Sequence, residues 1–136
     1  NQEHLAQQAD GLISKRFHEV RQFIPRTLKA LPMRGRKLFF KFADDCWPEG
    51  HQRHLLDALG FARFLEQEGG DVSPNRFELT WLSFLIGERK WSFHLLSDFP
   101  WKDRIYYAIV FFYRTRGGTP RYGAFTLPRW RRGSSL

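Results

Sequence analysis

Arg104-Ile105-Tyr106-Tyr107-Ala108-Ile109-Val110-Phe111-Phe112-Tyr113-Arg114-Thr115 is the stretch that decides the fold. Its apolar core, Ile105 to Tyr113, is dense in the β-branched and aromatic residues that suit a pleated surface. It has the length of a strand and falls far short of the roughly 20 residues needed to cross a bilayer. Gly117-Gly118-Thr119-Pro120 then offers a turn, and Arg121 to Leu127 returns the chain. Upstream, Trp91, Phe93 and Leu95 alternate with Ser92 and His94, again a period of two. These signals predict an antiparallel three-stranded meander over 91–127, with 128–136 as a basic tail.

Everything before residue 90 has helical periodicity. Leu5, Ala9, Leu12, Ile13, Val20, Phe23 and Ile24 recur at three- and four-residue steps over 4–31, with an interruption near Pro25. From Gly35 to Trp47 a second helix can bury Leu38, Phe39, Phe42 and Cys46 until Pro48 and Gly50 end it. Residues 51–68 are apolar around most of the cylinder, which predicts a central helix ended by Gly69-Gly70. Ser73 and Pro74 start a fourth helix carrying Phe77, Trp81, Phe84 and Leu85, with Gly87 as its C-terminal cap. The expected fold class is therefore α+β: a single domain over 1–136, with a bundle of about four helices (1–90) followed by the sheet.

Charge is distributed in blocks. The net charge of +8 divides into −2 over 1–14, +8 over 15–41, −5 over 42–100 and +7 over 101–136. In the last block the cations are almost all arginine, the residue suited to bidentate contacts with carboxylate or phosphate and to stacking on aromatic rings. The 17% aromatic content argues against disorder. The lone Cys46 cannot close an internal disulfide, so a reducing cytoplasm is the simplest expectation.

Catalytic constellations are scarce. His51, His54 and Asp57, with Asp44, Asp45 and Cys46 just upstream, form a metal-like cluster, but the spacing matches no closed site and Arg53 intervenes. Cys46 lacks a histidine and acid partner and is expected as a small core residue. Gly117-Gly118 lacks the strand, helix and lysine context of a phosphate loop. No catalytic residue, metal ligand or cofactor site is assigned to this chain.

The function is therefore sought in the sheet. Both faces of the long strand are apolar: Ile105, Tyr107, Ile109, Phe111 and Tyr113 on one, Tyr106, Ala108, Val110 and Phe112 on the other. One face packs on the helices, and the second calls for a cover, either another protein or a helix of the same chain. The free edges of a short meander can also accept an extended peptide, and the surrounding arginines favour an acidic one. The expected peptide- or partner-binding residues are Arg104, Tyr106, Val110, Phe112, Arg114, Arg116, Arg121 and Tyr122. The alternative is a nucleic-acid-binding module that neutralises phosphates with the same arginines and stacks bases on the same rings. No known recognition motif supports that alternative, and the middle of the chain is acidic.

The stretches Gly35-Arg36-Lys37-Leu38-Phe39-Phe40-Lys41-Phe42-Ala43, Pro48 to Gly50, and His54-Leu55-Leu56-Asp57-Ala58-Leu59-Gly60-Phe61-Ala62-Arg63-Phe64-Leu65 resemble small bacterial proteins that accompany other enzymes. Those enzymes are multinuclear non-haem iron-dependent oxidases of the DUF692 type, found in ribosomal peptide pathways such as methanobactin and 3-thiaglutamate biosynthesis. The resemblance spans about residues 35 to 100. It implies that the iron and the oxygen chemistry belong to a separate oxidase. This chain would then dock on that oxidase as a heterodimer and help present the precursor peptide.

Overall fold

The computed structural model describes residues 2–68 and 72–130. Five helices precede one sheet: α1 (Gln2–Arg21), α2 (Pro25–Lys29), α3 (Arg34–Ala43), α4 (Arg53–Glu68) and α5 (Asn75–Ile86), then β1 (Trp91–Trp101), β2 (Arg104–Arg114) and β3 (Pro120–Trp130). The architecture is α+β as expected, and the strands form an antiparallel meander in the order β1-β2-β3. The helix count is five rather than four. Ile24 leaves helical geometry at φ −131°, and Pro25 restarts the chain at the first position of α2, so the first periodic segment divides in two. Residues 128–130, expected in the tail, continue β3. The remainder of that tail, 131–136, lies outside the described residues.

The helical core is a cluster of rings and aliphatic side chains drawn from α1 to α5. Phe39 and Phe61 meet edge to face at 5.0 Å, with Phe17, Phe42 and Phe64 around them. Leu5 and Leu12 of α1 remain exposed, while Ile13, Phe17 and Val20 are buried. Cys46 also departs from expectation. The third helix ends at Ala43, and Cys46 sits exposed in the following loop. No helix among the described residues is long and apolar enough to cross a membrane.

Charged contacts of three kinds tie the elements together, through Arg16, Glu78, Asp98 and Arg114. Arg16 of α1 donates to both carboxylate oxygens of buried Asp57 on α4, at 2.9 and 2.7 Å, and to the Cys46 carbonyl at 2.6 Å. Its guanidinium lies 4.3 Å from the centre of the Trp47 ring. Glu78 of α5 is buried and accepts hydrogen bonds from Arg26 N, Thr27 N and Thr27 Oγ1, so it caps the first turn of α2 from another helix. Burial, only partly offset by these bonds, raises the Glu78 carboxyl above its ordinary value near 4.5.

The third kind joins sheet to helix at both ends of α5. A bulge between Leu96 and Phe99 puts two residues of β1 opposite one of β2. The bulged Asp98 is buried and accepts from Arg76 N at 2.7 Å and Phe77 N at 3.3 Å, at the N-terminus of α5. The expected cap at Ser73 is thus replaced by a carboxylate from the sheet. At the other end, Arg114 of β2 donates to the carbonyls of Phe84, Leu85 and Gly87 and lies over the Phe84 ring. A negative group at the helix start and a positive one at its end both oppose the helix dipole.

Candidate functional site

Register determines which residues share a face of the sheet. On one face Ser92, Phe112 and Tyr122 stand in a row, followed by His94, Val110 and Ala124, then Leu96, Ala108 and Thr126. This inner face packs on α5 through Phe77, Trp81 and Phe84, whose rings lie 5.2 to 6.4 Å from Phe112. Small Ala108 and Val110, both fully buried, let the helix approach closely. On the opposite face the rows are Trp91, Tyr113 and Arg121, then Phe93, Phe111 and Gly123, then Leu95, Ile109 and Phe125.

That outer face is apolar and uncovered. Phe93 is 63% exposed, Leu95 70% and Phe125 81%, against 0% for Val110 and Phe112. The Phe111 ring stacks between Trp91 at 6.1 Å and Tyr113 at 5.8 Å, forming a flat aromatic strip. Among the described residues no helix lies over it, so the cover within the chain that the sequence allowed is absent. Side chains of roughly 150–250 Å² each, weighted by exposure, leave an apolar surface on the order of 800 Å². The largest such patch on a typical monomer is about 300–600 Å².

β1 therefore inverts the usual amphipathic rule. Its polar residues Ser92 and His94 face the core, and its apolar residues Trp91, Phe93 and Leu95 face out. The inward polar groups are accommodated: His94 Nε2 lies 3.1 Å from Ser92 Oγ, and the imidazole packs 5.4 Å from Phe112. Burial first, then the positive fields of Arg89 and Arg76, holds His94 below its ordinary value of 6.5.

The expected binding residues divide accordingly. Val110 and Phe112 are fully buried between the sheet and α5 and present no surface to a partner. Tyr106 is half-buried on the same side, its ring 6.2 Å from Trp101. Tyr122 rests against Phe77, Trp81, Phe99 and Phe112 and keeps one side open. Arg114 is occupied in capping α5. Arg116 is exposed in the β2–β3 turn, Arg121 is exposed on the outer face, and Arg104 is exposed where β2 begins. The residues that sequence reasoning missed are Trp91, Phe93, Leu95, Ile109, Phe111 and Phe125. Their signal was the strict alternation in 91–95, read as a strand without assigning its apolar side to solvent.

The free backbone of β1 belongs to the same surface. Arg114 N donates to the Lys90 carbonyl, which sets the alternation of the ladder. The N–H and C=O groups of Trp91, Phe93 and Leu95 therefore point away from β2, along an open edge. The metal-like cluster around His51 does not assemble: Asp57 is engaged by Arg16, and no group of metal-binding side chains forms among the described residues.

Comparison with known protein families, with curated proteins and with solved structures returns no match.

Proposed function

We propose that this chain is a non-catalytic docking subunit that seats the outer face of its sheet on a partner protein. One observation carries the reading: a strand that turns serine and histidine inward while presenting tryptophan, phenylalanine and leucine to solvent. An exposed apolar surface on the order of 800 Å² matches what one partner contributes to a standard interface. Lys90, Arg116 and Arg121 at one end and Lys102 and Arg104 at the other make its rim basic. Two copies meeting face to face would oppose like charges, so the fitting partner is a different protein with an apolar centre and an acidic rim.

The sequence resemblance names the class of that partner, an iron-dependent peptide-modifying oxidase. Iron would reside in the oxidase. This chain would contribute positioning, raising the effective concentration of a precursor peptide near the metal. The open edge of β1 is suited to hold an extended peptide by strand addition beside the docked face.

Co-expression with an oxidase encoded beside it tests the assignment. The expected result is a heterodimer that Phe93→Glu with Phe111→Glu abolishes while far-UV circular dichroism stays unchanged. A complex that survives the double variant places the interface elsewhere.

A further inference from the structure

A second surface lies at the opposite end of the sheet from the β2–β3 turn. The β1–β2 hairpin closes through Lys102 and Asp103, with φ of 50° and 64°, the type I′ geometry. Register places Trp101 and Arg104 on the inner side of this end, toward α2. Between the hairpin and α2 lies a cleft of about 480 Å³. Arg26 and Lys29 enter it from α2, and Lys102 and Arg104 from the hairpin. Among the described residues that line it, Asp103 is the one acidic side chain. Trp101 forms part of the wall, half its surface exposed, with Lys102 Nζ 5.0 Å from its ring centre.

The geometry points to a binding site for a phosphate-bearing ligand with a flat ring, that is, a nucleotide. Four cations from two elements meet around a cavity of small-ligand size. Arginine forks engage phosphate oxygens bidentately, and the lysines add point charge. The exposed indole supplies a platform on which a base can stack. Turn chemistry agrees. Both central positions of a type I′ turn favour asparagine or glycine, yet the first holds lysine in the left-handed region, with its ammonium over the Trp101 ring at the cleft wall.

Calorimetric titration of the full chain at low salt with ADP, tripolyphosphate and hexaglutamate tests this. Expected are binding of ADP and tripolyphosphate, and about tenfold or greater loss of both in Arg26→Gln with Lys29→Gln. Trp101→Leu should weaken ADP and leave tripolyphosphate unchanged. Removing the same charge elsewhere, in Lys37→Gln with Arg63→Gln, should alter neither. Lys102→Asn should raise the melting temperature, by relieving the turn, while weakening ADP. The assignment is overturned if ADP does not bind, if the remote variant loses as much as the cleft variant, or if Lys102→Asn leaves affinity intact. Tighter binding of hexaglutamate than of ADP would give the cleft to an acidic peptide instead. Arg26, Lys29 and Trp101 lie off the outer face, so the outcome of their variants is independent of the docking reading, whose rim shares only Lys102 and Arg104 with the cleft.

Discussion

The two faces of the sheet are made of the same three strands, yet one is packed under α5 across β1 and β2 and the other is bare. On the inner face Phe112 touches Phe77, Trp81 and Phe84, and Val110 and Ala108 have no exposure. On the outer face Phe93, Phe111 and Phe125 touch mainly one another's strands and solvent. Hydrophobicity alone does not separate the faces. Side-chain size and the position of one carboxylate do. Small residues on the inner side admit a helix, and Asp98 turned inward by the bulge holds that helix by its first turn.

This contrast can be broken or sharpened by mutation. The largest effect is expected on the sealed side: Phe112→Ala should destabilise the fold by about 3–5 kcal/mol in denaturant unfolding. A loss under 1 kcal/mol would mean that α5 does not pack there. Next come the contacts that anchor the helix. Asp98→Ala removes the acceptor for Arg76 N and Phe77 N and should lose about 0.5–2 kcal/mol. Arg114→Ala, which frees three carbonyls at the other end, should lose a comparable amount. The smallest effect is expected on the bare side. Phe93→Thr should stay within about 0.5 kcal/mol of the parent, as exposed positions do, and should improve solubility. If Phe93→Thr proved as damaging as Phe112→Ala, the outer face would be core, and the docking reading would fail with it.

Much of the fold was legible in the sequence. Period-two alternation gave β1, the dense apolar run gave β2, and Gly117-Gly118 located the second turn. Helical spacing gave four segments and an interruption near Pro25 that was not counted as a boundary between two helices, because a single proline at the first position of a new helix looks the same as one at the end of an old helix. The choice of face was not legible from apolar content, since both sides of β2 are apolar. Small Ala108 beside Val110 on one side was the available clue to close helix approach. The structural role of Arg114 was hidden for another reason. A cap supplied from a strand 27 residues beyond the Gly87 carbonyl leaves no local motif. The basic cleft escaped notice because α2 and the first hairpin are far apart in the chain and only the fold brings their cations together.

The two-ended hold on α5 also couples lengths. Twelve residues of helix cover about 18 Å at 1.5 Å per residue. Along β2, the stretch from Tyr107, opposite the bulge, to Arg114 covers roughly 23 Å at about 3.3 Å per residue. The extended arginine side chain reaches back across the difference. An insertion or deletion in α5, β1 or β2 would slide one anchor off its end of the helix, and in a strand it would also exchange the two faces. Segment 75–114 is thus a ruler: its residues can vary, but the lengths of its helix and strands must change together or not at all.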